Sequence, residues 1–204
     1  MRPAARRRAA VLVLMAASAG IGAGGCGSEQ RAAPAEPLTR AEVRAALATP
    51  MPAVSAPAKR LERAAGTVLP GSGKQAVAQL DAIVASLRGT PLVVNLWGEW
   101  CAPCKQELPL LQRAALAHRG DVVFLGVATL STRARSEQYL RTKIALPYPS
   151  LLDDPGALNR GTGIDSVPKT FFYDAAGRRT IHQGPYATAA DLDADIARYA
   201  AAAG

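Results

Sequence analysis

Trp100-Cys101-Ala102-Pro103-Cys104-Lys105 sets two cysteines three positions apart. They follow the apolar run Leu92-Val93-Val94-Asn95-Leu96-Trp97 and precede a helical pattern through Leu108, Leu111 and Ala115. A strand that turns into a helix with a cysteine pair at the junction predicts dithiol–disulfide exchange. Cys101 falls at the helix start, where orphan backbone N–H groups and the positive end of the helix dipole stabilise a thiolate. Cys104 falls one turn inside, within reach of a mixed disulfide on Cys101. A lowered thiol pKa makes such a cysteine nucleophilic near neutral pH. A purely structural disulfide closing so short a loop would constrain little of the unfolded chain. Zinc needs about four ligands, and the domain adds only His118 and His182, far apart in sequence, so no metal is expected. Haem attachment needs a histidine straight after the second cysteine, and that residue is Lys105.

The elements around this pair follow from periodicity and punctuation. Ser72-Gly73-Lys74-Gln75 caps a helix through Val77, Leu80, Ile83, Val84 and Leu87, stopped by Gly89. Pro91 to Trp97 reads as a buried strand, and the cysteine helix runs to about His118 with Pro109 inside it. Val122 to Thr129 is a second buried strand, and Ser136 to Ile144 a helix. Pro147 to Asp154 reads as an extended or turn segment, with a short helical turn near Ala157-Leu158-Asn159. Lys169 to Tyr173 and Arg178 to Gly184 form a hairpin about Asp174-Ala175-Ala176-Gly177, and Thr188 caps a last helix to about Ala202. That order implies α/β architecture, a parallel core extended by an antiparallel hairpin, with helices on both faces.

The chain of 204 residues carries 24 Lys and Arg against 16 Asp and Glu. Residues 1–25 read as an export signal: Arg2, Arg6, Arg7 and Arg8, then the apolar stretch Ala9 to Ile21, then Gly22-Ala23-Gly24-Gly25 before Cys26. Removing it lowers the net charge from +8 to +4. No basic cluster remains, so nucleic-acid binding is not expected. Export also places the cysteines where disulfides persist. Residues 26–67 are expected to be a tether, partly disordered, with a short helix through Val43 and Leu47 opened by the capping-box spacing Thr39-Arg40-Ala41-Glu42. Lys59 to Val68 is ambiguous, and whether this preface packs on the domain is open. The compact domain is expected over 68–204.

Two resemblances sharpen this reading. Residues 1–26 resemble a bacterial lipoprotein signal, which implies lipidation of Cys26 and anchoring to the cell membrane. Ala23 departs from that pattern, where a larger aliphatic residue is usual, and the alternative is secretion. From Leu87 to Ala202 the chain resembles thioredoxin-like proteins, with the closest likeness to the exported TlpA/ResA-like group. The motifs are the Val-Asn-Leu-Trp strand, Trp-Cys-Ala-Pro-Cys-Lys, Glu-Leu-Pro, Tyr-Pro-Ser-Leu-Leu-Asp and Val-Pro-Lys-Thr-Phe.

The resemblance implies a thioredoxin-like fold with a central mixed sheet, Cys101 as attacking thiolate and Cys104 as resolving thiol. Pro168 would be cis and face the cysteines, with the backbone of Val167 pairing with substrate. Trp100 would form an apolar rim beside the sulfur, and Pro103 would support the site. Asn95 stands where thioredoxins carry a buried aspartate, which removes that general base. Ala102 stands where some relatives have a glutamate. Lys105 either lowers the thiolate pKa or points to water, and Glu99 is expected to be a solvated surface charge. Asp153, Asp154 and Asp165 are further acids that the sequence does not place.

No cofactor is implied. The expected partners are exported protein thiols and disulfides, for example those of apocytochrome c, and a membrane electron donor. An oxidase that installs disulfides is the alternative. A copper carrier on the same fold is a remote one, because such proteins usually space their cysteines by three residues and add a histidine near the proline. Peroxidase action is not expected, since peroxidatic sites of related folds have a Thr-x-x-Cys setting.

Overall fold

A computed structural model describes residues 35–50, 54–163 and 165–200. The expected export signal, Cys26, the expected tether up to residue 34 and residues 201–204, which include the expected end of the last helix, lie outside the described residues.

Strand β1 (Leu92–Trp97) is the centre of a five-stranded sheet. It pairs in parallel with β2 (Val123–Thr129) and antiparallel with β4 (Lys169–Tyr173). β3 (Ser150–Asp153) pairs in parallel with β2, and β5 (Arg179–Gln183) closes the other side against β4, giving the order β3-β2-β1-β4-β5. This is a thioredoxin-like fold with a mixed sheet. The segment expected only as extended or turn is therefore a strand. Its carboxyl-end neighbour is α6 (Ala157–Arg160).

Alternation along β1 sorts its side chains into two cores. Val93 and Trp97 face one cluster with Leu108, Leu111, Phe124, Phe172, Leu192 and Ile196. Leu92, Val94 and Leu96 face the other, with Leu61, Leu80, Leu125, Val127, Leu158 and Phe171. The first cluster is covered by α4 (Ala102–Ala117) and by α7 (Ala189–Asp195), which a π-helical turn over Ile196–Ala200 continues. The second is covered by α2 (Ala56–Arg63), α3 (Ala76–Ser86) and α6. Asn95, the one polar residue of β1, thus lies on the face that carries α4.

Close approach of β1, β2 and β3 depends on Gly126. A Cβ there would collide with Ser150 Oγ and stand 2.8 Å from Trp97 Nε1, and the indole N–H donates to that same Ser150 hydroxyl at 3.2 Å. Helix α5 (Arg133–Thr142) begins three residues before the expected start, because Thr132 caps it and accepts from Arg135 N–H.

The segment before Val68 packs on the sheet domain. Helix α1 (Arg40–Ala48) has the capping box of Thr39 and Glu42. Arg119, just past α4, donates to the carbonyls of Ala46, Leu47 and Thr49 and pairs with Glu62 of α2 at 2.7 Å. Gln112 accepts from Leu38 N–H and donates to the carbonyls of Leu38 and Ala145. Val68 itself bridges to Ser150 beside β3. No described helix is long and apolar enough to cross a membrane.

Candidate active site

β1 ends at Trp97, and the chain turns through Gly98, Glu99 and Trp100 into α4. Cys101 is the N-cap residue, with extended backbone, and its sulfur accepts the Cys104 N–H at 3.2 Å. That bond satisfies one of the orphan donors of the helix start and brings positive potential onto the sulfur. Pro103 sits in the first turn, where a missing N–H costs nothing. Cys101 and Cys104 form a disulfide with Cα atoms 5.3 Å apart. Cys101 is 4% exposed and Cys104 fully buried, so an incoming group meets Cys101 first.

The opposite wall is the Val167–Pro168 peptide, which is cis. The Val167 carbonyl oxygen lies 3.8 Å from Cys101 Sγ. Pro168 cannot donate, and its carbonyl accepts from Gly184 N–H at 3.1 Å, which ties this wall to the segment after β5. Next in the strand, Lys169 is buried. Its ammonium donates to the Asn159 carbonyl at 2.9 Å and the Thr162 hydroxyl at 2.6 Å, fastening the loop that leads to the proline. Burial lowers its pKa.

Trp100 is half exposed, and its indole N–H donates to the Thr129 carbonyl at 3.3 Å. The ring lies over Gly98, where a Cβ would stand 2.5 Å from Nε1. Exposed Leu130 follows Thr129 with φ of 50°, a left-handed backbone at a non-glycine residue. Lys105 is exposed, with its ammonium 5.8 Å from the Tyr139 ring centroid. Glu99 departs from the expected solvated charge: it is partly covered and accepts a short hydrogen bond from Ser131, whose hydroxyl accepts in turn from Ser136. It therefore ties the cysteine turn to the β2–α5 loop. Asp153 is buried, accepting from the Thr129 hydroxyl and from Ala157 N–H, so it caps α6. Asp154 and Asp165 are exposed.

The group that residue-level reading passed over is Glu107. It is buried, one turn after Cys104 on α4. Asn95 Nδ2 donates to its Oε1 at 2.8 Å and Tyr186 N–H to its Oε2 at 3.0 Å. Desolvation outweighs these two bonds and pushes its carboxyl up to about 7. A signal was present, because Cys104, Leu108, Leu111 and Ala115 form an apolar stripe at helical spacing and Glu107 stands inside it. A charge inside such a stripe is either wrong or used. Asn95 lacks a titrating group, yet it orients the one that replaces it. Its own Oδ1 is buried with no partner among the described residues.

A cysteine pair on a helix N-terminus, facing a cis proline across the end of a mixed sheet, defines a thioredoxin-like dithiol site. The chain belongs to the AhpC/TSA family, whose model matches residues 62–178. It is 36% identical over 94 residues to the thiol:disulfide interchange protein DsbE of Pseudomonas fluorescens biotype C, covering 46% of this chain and 51% of that protein. It is 38% identical over 96 residues to the thiol:disulfide interchange protein HelX of Rhodobacter capsulatus, covering 46% and 52%. Among solved structures it is similar to MTB DsbF in its mixed oxidised and reduced forms. There the TM-score is 0.51 and the identity 25%, over 56% of this chain and 84% of that one. The chain spans about half the length of the curated relatives it matches.

Proposed function

We propose that this protein carries out thiol–disulfide exchange through Cys101 and Cys104, and that it works as a reductase on exported proteins. The observation that carries the exchange is the asymmetric pair: Cys101 at the N-cap of α4 beside Val167 and Pro168, Cys104 buried behind it. The reducing direction rests on the sequence resemblance. In the reduced protein the Cys101 thiolate attacks one sulfur of a substrate disulfide. A mixed disulfide forms and the other substrate sulfur leaves as a thiolate. Cys104 then attacks Cys101 Sγ, the mixed bond breaks, and the second substrate thiolate leaves. Two electrons pass to the substrate, and the domain is left as the Cys101–Cys104 disulfide, to be reduced again by a membrane dithiol donor.

Cys104 must lose its proton to act, and buried Glu107 one turn away is the acceptor. Its raised pKa leaves the carboxyl partly protonated near neutrality, so it can take that proton or return one to a leaving thiolate. Val167 offers its backbone to an extended substrate segment. Trp100, half exposed one residue before Cys101, supplies apolar surface beside the sulfur.

The names of the relatives support exchange as the activity. Apocytochrome cysteines as substrate, lipidation of Cys26 and anchoring at the outer face of the cell membrane rest on the sequence resemblance. Substitution Cys104→Ala tests the exchange, because it should leave mixed disulfides on Cys101 when the reduced variant is offered an oxidised dithiol peptide. Mass spectrometry would find the adduct on Cys101; an adduct-free Cys104→Ala protein with reduced Cys101 would contradict the reading.

A further inference from the structure

The short segment Gly184-Pro185-Tyr186 joins the two halves of the site. At one end Gly184 N–H holds the Pro168 carbonyl of the site wall; two residues on, Tyr186 N–H holds Glu107 Oε2. What keeps this segment in place is the Tyr186 side chain. Its hydroxyl donates to Asp195 Oδ2 on α7 at 2.7 Å, and His182 Nδ1 stands 3.1 Å from the same oxygen. The His182 and Tyr186 rings stack with centroids 4.1 Å apart. Tyr186 is buried, while Gly184, Pro185 and Ala187 around it are not. No catalytic part of the exchange needs a tyrosine, an aspartate and a histidine assembled here.

We infer that Tyr186, fastened by Asp195 and His182, is a positioning residue that holds its own backbone N–H on the Glu107 carboxylate. This deepens the proposed exchange, since it rests on Glu107 as the proton acceptor. Among the described residues the polar and titratable groups facing Glu107 are Asn95 from β1, Tyr148 from the segment before β3, and Tyr186, with Asp195, His182 and Tyr199 behind Tyr186. Cys104 lies one turn before it on α4. Lys169 lies on the opposite face of the sheet, alternating with Thr170 and bonded toward α6. The Tyr186 donor therefore bears directly on which form of Glu107 is favoured, because a hydrogen bond to a carboxylate stabilises the charged form.

The test is a carbon NMR titration of the Glu107 carboxyl in the oxidised protein, its resonance assigned by its absence in E107Q. Substitution Y186F keeps the stacked ring and removes the bond to Asp195. It should raise the Glu107 midpoint by about half a pH unit or more. Gly184→Ala perturbs the same segment through its backbone, because φ of 99° strains any residue with a Cβ, while that Cβ meets nothing within 4 Å. It should shift the midpoint in the same direction. Asp195→Asn removes the charge but keeps an acceptor for the hydroxyl, and should leave the midpoint near that of the parent. Asp193→Asn on the same helix, which breaks a pair with His118, should not move it at all. A Y186F midpoint equal to the parent's, with only a lower melting temperature, would reduce Tyr186 to a structural anchor. A shift in Asp195→Asn as large as in Y186F would assign the effect to charge and overturn positioning. The titration needs no turnover, so it judges the clamp alone; the pH dependence with which Cys104 resolves a preformed mixed disulfide on Cys101, compared between parent and E107Q, judges Glu107 as acceptor.

Discussion

Glu107 concentrates the unusual electrostatics of this domain in one side chain. Folding moves it from water to a site with two donors and little else, so the folded state favours its protonated form. Its pKa rises from 4.5 to about 7. The sign follows: the stabilising contribution is complete below about pH 4.5, shrinks as pH rises, and is gone above about 7. The span corresponds to about 3 kcal/mol at most. Denaturant titrations at pH 5 and pH 8 should therefore show the parent losing stability with pH from this group, whereas E107Q should show a flatter dependence. Equal slopes in parent and E107Q would mean that Glu107 is ionised throughout. The cysteines were legible in the sequence because their spacing has few other uses, and Val167-Pro168 through the resemblance to thioredoxin-like proteins. Glu107 was not, because a single carboxylate is ordinary on an exposed helix. Only tertiary packing, with Tyr148 and Tyr186 among its neighbours, makes this one dry.

Elements explain where those side chains can stand. β1 alternates between two cores, so a six-residue strand delivers Asn95 to the α4 face and α4 itself to the sheet's carboxyl end. Gly126 is the hinge of that arrangement. Gly126→Ala should force apart Trp97 and Ser150 and cost about 1–3 kcal/mol, read as a lower denaturation midpoint with unchanged slope; a neutral effect would mean that Ser150 rotates away freely. Most elements were visible from periodicity, with one informative miss. β3 has two prolines just before it and only four residues, and Pro147 and Pro149 left it read as an extended or turn segment rather than a strand. Strand pairing with β2 and the bridge from Val68 decide it, and neither partner is local. The start of α5 slipped for a smaller reason: Thr132 caps a stretch whose first turn, Arg133-Ala134-Arg135, has no apolar residue to bury beyond a small one.

Across the whole molecule, the described preface is part of the packed body. Arg119 gathers three carbonyls from the end of α1 and a carboxylate from α2. Arg119→Ala should cost about 2–3 kcal/mol, the scale of losing hydrogen bonds from a charged group. Hydrogen exchange should quicken over 40–63 while protection in β1 persists. Uniform protection across both regions would contradict this role. Periodicity could not settle the packing of this preface, since its partners are an arginine and a glutamine some seventy residues away. At this scale the proposed function makes the domain a dithiol that would pass electrons to exported proteins. The direct measurement is the reduction potential of the Cys101–Cys104 couple, equilibrated in dithiothreitol or glutathione buffers and followed by tryptophan fluorescence. A reductase should give a value near or below that of thioredoxin, about −270 mV. A value near about −120 mV, as for strong oxidants, would contradict the reductase, and a pair that does not cycle reversibly would contradict exchange itself.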